Sequence, residues 1–234
     1  MDFYDLYIPT DNAQKVLESA EEMDLDGIGI AHEYESKEEL NRYLDGIDKL
    51  SKDTEMKLIR SCVIDAESPE ELKKTVGKVR QKVDVVAVDG GDFDINSAAV
   101  RDRRIDVLLH PEYKRKDRGM DHKTMKMAAK NEVCLGFVLH DLHQTYGKVR
   151  SHVLRHMKNN IELCEKYGTE FLITSGARDV YELRGPRDLA SLPKVLGVKA
   201  SKAMDSVSSV PKKIVKENRK KLAGEIKKEG IEEV

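Results

Sequence analysis

The sequence predicts an α/β fold, a TIM-like barrel with seven clear strands and additional helices at its C-terminal end. Seven short apolar runs alternate with helical segments, and most of these runs are unbroken, as expected when both faces of a parallel sheet are buried. Right-handed β-α-β connections build either a barrel or an open doubly wound sheet. The length of 234 residues allows one large domain or two small ones and suits a single barrel.

The predicted strands are apolar runs bounded by turn residues or by polar ends. They cover residues 3–8, 27–32, 57–64, 83–88, 105–109, 133–139 and 171–174. Residues 198–207 are a candidate for an eighth strand, but Lys199, Lys202 and Asp205 suit a helix better. We therefore expect a barrel that is irregular or incompletely closed.

Helix start signals follow each strand in turn. Ser36 with Glu39 forms a capping box, and Ser68-Pro69 combines a capping residue with proline at the first helical position. The predicted helices run from 11 to about 23, from 36, from 68, over 95–101, over 121–131, over 145–167 and from 186. Residues 1–210 are predicted to form one barrel domain. Residues 211–234 are predicted to form a basic helix with a frayed tail, solvated and partly disordered.

The charge is unevenly divided along the chain. Residues 1–100 hold 12 basic and 24 acidic residues, whereas residues 101–234 hold 29 basic and 19 acidic ones. This division predicts a polyanion or an acidic partner for the second half, although a polarised surface without a function would look the same. Aromatic residues make up only 5% of the chain, which argues against recognition of single strands by base stacking and favours backbone contacts to folded RNA.

The three cysteines, Cys62, Cys134 and Cys164, are widely spaced in apolar contexts. They are expected to be buried, reduced thiols of an intracellular, cytoplasmic protein. No apolar run approaches the roughly 20 residues that cross a bilayer, and no secretory signal is recognisable, so no membrane contact is expected.

Basic side chains gather in the loops predicted to follow strands five and seven, where a parallel barrel concentrates function. Together with an arginine on strand three, they could form one phosphate-binding surface. The candidate residues are Arg60, Lys114, Arg115, Arg178, Arg184 and Arg187. The arginines after strand seven could equally cap the following helix, pair with nearby acids or lie solvated. Arg60 could instead point into the barrel and pair with Asp89.

Four histidines, His32, His110, His140 and His143, fall near the ends of strands. A barrel hydrolase would place metal ligands there, but strand-end histidines also commonly hydrogen-bond to the backbone or pair with acids. The sequence does not show whether these side chains converge.

Residues 175–197, SGARDVYELRGPRDLASLPKVLG, resemble the signature of ribonuclease P protein component 3, the subunit of about 30 kDa shared by archaeal and eukaryotic enzymes. Residues 105–112, IDVLLHPE, are similar to the fifth-strand segment of that family, and residues 155–160 and 209–219 also fit. Gly185 and Arg178 depart from the family's usual residues at their positions.

The resemblance implies a barrel related to the polymerase and histidinol phosphatase (PHP) metal hydrolases. It implies a subunit that assists an RNA, which itself removes the 5′ leader of precursor tRNA. The protein would then hold no catalytic residue, metal or cofactor, and Mg²⁺ would act with the RNA subunit. The implied partners are the ribonuclease P RNA, component 2 in a heterotetramer, other ribonuclease P proteins and, indirectly, precursor tRNA.

The region of the first strand agrees with this implication. PHP hydrolases carry a His-x-His pair after that strand, whereas this region of the chain reads Tyr4-Asp5-Leu6-Tyr7 and has no histidine. Two alternatives remain open. One is a PHP-like phosphoesterase that uses His110, His140 and His143 with Asp89. The other is a scaffold that binds only protein.

Overall fold

A computed structural model describes residues 1–228, 231 and 232 of the chain. Seven parallel strands lie in sequence order in one sheet, which curls into a nearly closed barrel flanked by helices. The strands are β1 Tyr4–Ile8, β2 Gly27–Glu33, β3 Lys57–Ile64, β4 Val85–Asp89, β5 Val107–Leu109, β6 Cys134–Val138 and β7 Phe171–Thr174. The predicted TIM-like barrel is confirmed. Below, the upper end of the barrel is the end at which the strands finish, and the lower end is where they begin.

The helices surround the barrel and begin at the signals that the sequence contains. Ser36 Oγ accepts a hydrogen bond from the Glu39 amide at 3.1 Å, and Ser68 Oγ accepts one from the Glu71 amide at 3.3 Å. The helices are α1 Ala13–Glu22, α2 Lys37–Leu50, α3 Pro69–Val79, α4 Phe93–Ala99, α5 His122–Asn131, α6 Leu139–His143, α7 Gly147–Tyr167, α8 Pro186–Leu189, α9 Ser191–Val195, α10 Ala200–Asp205 and α11 Ser209–Leu222.

The segment after β7 differs from its prediction. The helix expected from Pro186 is divided into α8 and α9. Pro193 has no amide hydrogen to donate to the Leu189 carbonyl, so α8 cannot continue through it. Residues 200–205 form a helix, as their charged residues indicated, and no eighth strand joins the barrel sheet within the described residues.

The apolar core has an inner and an outer part. Alternate strand residues such as Ile59, Val63 and Leu109 fill the interior of the barrel, and Cys62 and Leu108 face the outer helices. Because side chains alternate across a strand, both parts are filled by the same unbroken apolar runs.

Side-chain bonds near the upper end join β1 to β7. Asp5, fully buried, receives the Ser175 amide on Oδ2 at 3.1 Å and contacts the Thr174 hydroxyl through Oδ1. The same hydroxyl lies 2.9 Å from the Tyr7 carbonyl oxygen. A hydroxyl has one hydrogen to donate. If Thr174 donates it to Tyr7, a protonated Asp5 satisfies the remaining contact by donating to Thr174.

Lower down, the chain after α10 occupies the gap between β1 and β7. The Tyr4 amide donates to the Val207 carbonyl at 2.9 Å, and the Ile173 amide donates to the Ser206 carbonyl at 3.2 Å. These bonds satisfy backbone groups of both edge strands where an eighth strand would otherwise pair with them.

Helix α11 covers the lower end of the barrel. Val215 is buried against the inner core, and Asn218 Nδ2 donates to the Asp84 carbonyl at 2.9 Å and to Asp106 Oδ1 at 2.8 Å. Arg219 Nη2 lies 3.1 Å from Asp84 Oδ2. The expectation that this basic run is solvated is wrong for Pro211, Val215 and Asn218, which are buried, whereas Lys212, Lys213 and Lys216 are exposed. Its few apolar residues close the barrel, and its polar residues satisfy carboxylates there.

The chain beyond α11 contains the antiparallel strands β8 Ile226–Lys228 and β9 Ile231–Glu232. The predicted frayed tail also includes residues 229, 230, 233 and 234, which lie outside the described residues.

We expect Thr174→Val to lower the free energy of unfolding by about 1–3 kcal/mol, because it leaves buried polar atoms of Asp5 and Tyr7 without a partner. Asp5→Asn keeps a donor for Thr174 and an acceptor for Ser175, so we expect a smaller loss. Urea unfolding of both variants measures the difference. Equal destabilisation by the two variants would contradict a protonated Asp5 that donates a hydrogen bond to Thr174.

The buried contact of Asp5 with Thr174 should also make the free energy of unfolding depend on pH. Burial raises the pKa of Asp5, more than its hydrogen bonds lower it. Asp5 then releases its proton at lower pH in the unfolded chain than in the folded one, so stability falls as pH rises above the usual carboxyl range. Asp5→Asn should flatten this fall between roughly pH 4 and 8. An unchanged slope would contradict the assignment.

Candidate functional site

The side chain of Asn96, on α4, joins two loops at the upper end of the barrel. Asn96 Nδ2 donates to the carbonyls of Pro111 and Gly119, both at 3.0 Å, and Oδ1 accepts the Gly91 amide at 3.2 Å. Gly119 has φ +70°, and a Cβ there would lie 1.8 Å from the Pro111 carbonyl oxygen. Glycine is therefore required where the loop after β5 folds back against its own beginning at Pro111.

His110, directly after β5, lies between two carboxylates. Its Nδ1 is 2.9 Å from Asp141 Oδ2, and its Nε2 contacts Asp89 Oδ1. Burial by itself would lower the pKa of His110, but the hydrogen bonds and charges of Asp141 and Asp89 raise it to about 10. Tyr113 stacks on the ring at 5.5 Å between centroids, and Tyr7 meets it edge-on at 6.5 Å. His110 is thus a buried imidazolium that donates from both nitrogens.

The two candidate cations in the loop after β5 differ in how far their side chains are already bonded to the protein. Lys114 is exposed, has φ +56°, and holds Nζ 5.2 Å from the centre of the Tyr113 ring. Arg115 pairs with Asp117 at 2.7 Å and donates to the Gly91 carbonyl at 2.8 Å. Lys114 therefore points to solvent, whereas Arg115 also holds the two upper loops together.

In the loop after β7, Glu182 connects the loop to α6. Its Oε2 accepts the Arg178 amide at 3.0 Å and lies 3.0 Å from His140 Nδ1. The Arg178 side chain is exposed. Arg178 and Lys114 therefore both stand at the upper end, as the sequence predicted.

Arg184 and Arg187 line a cleft with a volume of about 910 Å³. Asp24 and Asp26, which precede β2 at the lower end, also line this cleft. Arg184 Nη1 donates to the carbonyls of its own loop at residues 181 and 183, both at 2.7 Å. Arg187 is exposed. These two arginines extend down the side of the barrel.

Arg60 does not join the upper cations. Its Nε lies 3.5 Å from Asp84 Oδ2, beside the contact of Arg219 with the same carboxylate. The expected alternative partner, Asp89, lies at the other end of β4. Because Asp84 is fully buried, Arg60 helps to balance a carboxylate that would otherwise be desolvated without compensation. The idea of one surface containing Arg60 and both upper loops is therefore wrong.

The comparisons with known proteins agree with the signature in the sequence. Residues 2–223 match the family described as RNase P subunit p30. The chain belongs to this family. It is 33% identical over 222 residues to Ribonuclease P protein component 3 of Methanococcoides burtonii, covering 93% of this chain and 88% of that protein. The protein of the same name from Methanothermobacter thermautotrophicus is 31% identical, with 93% and 90% covered. The predicted function, a protein subunit of ribonuclease P, is confirmed with the family.

Solved structures share the fold. A chain in the cryo-electron microscopy structure of archaeal ribonuclease P with mature tRNA has a TM-score of 0.85 at 24% identity, covering 98% of this chain and 97% of that one. Histidinol phosphate phosphatase of Lactococcus lactis, solved with zinc, L-histidinol and phosphate, has a TM-score of 0.55 at 11% identity, with 85% and 95% covered. The chain thus shares its barrel fold with both structures.

The alternative of a phosphoesterase required Asp89, His110, His140 and His143 to converge. The structure does bring Asp89 and His110 together, but both nitrogens of His110 are engaged by carboxylates, and His140 is paired with Glu182. Within residues 1–228, 231 and 232, no group of three or more His, Cys, Asp or Glu side chains could hold a metal ion. The family and this geometry favour the ribonuclease P subunit.

Asp141 is the member of the buried network that sequence reasoning missed. A signal was available: Asp89, His110 and Asp141 follow three consecutive strands, and such positions share one end of a parallel barrel.

Within the described part of the chain, no helix combines the length and the apolar composition needed to cross a lipid bilayer.

We expect the stability contributed by His110 to be fully present below about pH 6.5 and to be lost as pH rises towards about 10, because its folded pKa is raised. His110→Gln should therefore lower stability at pH 6 and flatten the decline at alkaline pH. Each unit of pKa is worth roughly 1.4 kcal/mol, so the difference should reach a few kcal/mol.

Thermal unfolding between pH 6 and pH 10 measures this difference. His122→Gln, at an exposed histidine of α5, is the matched control and should leave the pH profile unchanged. Parallel profiles for wild type and His110→Gln would show that His110 is not held as an imidazolium.

Proposed function

We propose that this chain supports the RNA of ribonuclease P as a subunit without catalytic groups of its own, and that its upper end contacts that RNA. The observation that carries the proposal is the Asp89–His110–Asp141 network. The groups which a hydrolase would keep open at the mouth of the barrel are here bonded to one another. The bonded side chains of this network also fix the loops that carry the exposed cations. Cleavage is left to the RNA, with Mg²⁺ bound in the ribonucleoprotein.

The environments of the six candidate residues suggest different contributions to RNA binding. Lys114, Arg178 and Arg187 are exposed, so their charge can reach phosphates. Arg115 and Arg184 already donate to carbonyls of the protein and would contact RNA only with their remaining N–H groups. Arg60 supports the lower end through Asp84 and is the weakest candidate. The acidic first hundred residues would repel RNA from the remaining surface.

We further propose the assembly in which the subunit works. The relatives are called component 3, and a structure of similar fold comes from a ribonuclease P bound to mature tRNA, which supports RNA and further proteins as partners. Component 2, in a heterotetramer, is the partner that the family resemblance suggests, and contact with precursor tRNA would be indirect. The buried cysteine thiols, none of them in a disulfide, fit a cytoplasmic site.

The triple substitution Lys114→Ala, Arg178→Ala and Arg187→Ala should weaken binding of the cognate RNA. Each lost phosphate contact should lower the slope of log K against log salt by about one. Filter binding at several salt concentrations measures both. Lys15→Ala, Lys49→Ala and Lys52→Ala are the matched control, because these exposed lysines lie in the acidic half. Equal losses in the two triple variants would contradict RNA binding by the upper end and the adjoining side of the barrel.

Reconstitution tests the function itself. The cognate RNA should mature the 5′ end of precursor tRNA faster with this protein and its partner proteins than without it. The protein without RNA should not cleave. Cleavage by the protein alone, lost in His110→Gln, would restore the phosphoesterase hypothesis.

A further inference from the structure

Two tyrosines stand outside the packing that holds the other aromatic residues. Tyr146, just before α7, is 75% exposed, and Tyr181, in the loop after β7, is 82% exposed. A tyrosine ring is a large apolar surface with one polar tip, and such rings are usually at least partly covered. The exposure of both rings therefore indicates a surface that is covered by something else.

Helix α6 connects the segments that carry the two tyrosines. Tyr146 follows α6 by three residues, and the pair of His140 with Glu182 attaches the loop of Tyr181 to the same helix. His143, on α6, has its pKa lowered by burial and by the positive charges of Arg184 and Arg150. Both tyrosines thus belong to segments held by one short helix.

Each tyrosine has an arginine close by, at the ring of Tyr146 and at the backbone carbonyl of Tyr181. The Arg150 guanidinium lies 5.2 Å from the centre of the Tyr146 ring, and its Nε donates to the Thr145 carbonyl at 2.6 Å. Arg184 Nη1 donates to the carbonyl of Tyr181 at 2.7 Å. These bonds hold the arginines in place, so their charge is positioned before any partner arrives.

The surrounding surface is strongly positive. The chain has no Asp or Glu from residue 142 to residue 161, although 36% of all residues are charged. In the same stretch Lys148, Arg155 and Lys158 are exposed. A ring among cations suits a polyanion that also offers flat apolar faces, and an unpaired nucleotide has both properties.

We propose that Tyr146, Arg150, Tyr181 and Arg184, here called the stacking surface, bind unpaired nucleotides of an RNA. The bases stack on the two rings, and the arginines contact the adjoining phosphates. The inference rests on the proposed function, since the RNA of ribonuclease P is the natural ligand. Bases in a duplex already stack on their neighbours, so the surface selects loops and single-stranded joints.

The stacking surface differs from the expectation, drawn from the composition, that this chain does not bind RNA by base stacking. The low aromatic content argued against stacking, but two exposed rings are enough for two bases. Protein interfaces are also enriched in Tyr and Arg but are depleted of Lys, so the exposed Lys148 and Lys158 in the same stretch favour a polyanion over a protein partner. Val149, which is 59% exposed, is an apolar neighbour of Tyr146 that either partner would cover.

The test uses the full chain with a single-stranded oligouridine, an RNA duplex of equal length and the cognate RNA. Tyr146→Leu with Tyr181→Leu removes both rings and keeps apolar side chains, whereas Tyr146→Phe with Tyr181→Phe keeps the rings. The leucine pair should bind oligouridine and the cognate RNA about tenfold more weakly or worse, with an unchanged salt slope, because no phosphate contact is lost. The phenylalanine pair should bind like wild type, and duplex binding should not change.

A direct readout is also available because the chain has no tryptophan. In Tyr146→Trp, the single indole should be quenched by oligouridine and not by the duplex. Wild-type affinity in the leucine pair, or quenching by both RNAs, would overturn the inference. Loss of binding to ribonuclease P proteins with normal RNA binding would assign the surface to a protein instead.

These outcomes are distinct from a failure of the proposed function. If the leucine pair binds RNA normally and the triple variant at Lys114, Arg178 and Arg187 does not, only the stacking surface is wrong. If wild type fails to promote tRNA maturation by its cognate RNA, the proposed function is wrong.

Discussion

The closure between β1 and β7 is the constraint on which the rest of the structure depends. The two strands are neighbours in the barrel without forming a backbone ladder, and Asp5 takes over part of its role by binding the Thr174 hydroxyl and the Ser175 amide. A buried carboxyl is costly in its ionised form, but as a neutral acid it can both donate and accept. Closing the barrel there brings the loop after β7 beside the loops of the earlier strands, and every feature of the upper end follows from that position.

The ion network around His110 gives the upper end its rigidity. Desolvation of the buried imidazolium offsets part of its attraction to the two carboxylates, so the network stabilises the protein by less than that attraction alone. Removing one member would leave a buried charge unpaired, so the arrangement fixes the relative positions of three loops. In a fold shared with a histidinol phosphate phosphatase solved with zinc, this network fixes the loops at the mouth of the barrel around Lys114.

The two ends of the barrel use positive charge differently. At the lower end Arg60, Arg80 and Arg219 are bonded to Asp84 or Asp106, under the cover of α11. Those charges neutralise buried carboxylates and are largely unavailable to a ligand. At the upper end and along the adjoining side, several cations are exposed or stand beside exposed tyrosines. An RNA approaching this upper side of the protein would therefore meet cations that are not engaged by buried carboxylates.

The sequence by itself determined the seven strands, most helix starts and the family. These depend on local patterns: unbroken apolar runs, capping residues such as Ser36 and Ser68, and a distinctive block at residues 175–197. Contacts between distant residues were decided only by the tertiary structure. It paired Arg60 with Asp84, joined Asp141 to His110, placed α11 under the barrel and left Tyr146 and Tyr181 exposed around α6. Local spacing cannot specify such contacts, because they depend on how the strands curl and on which side chains the closed barrel brings within bonding distance.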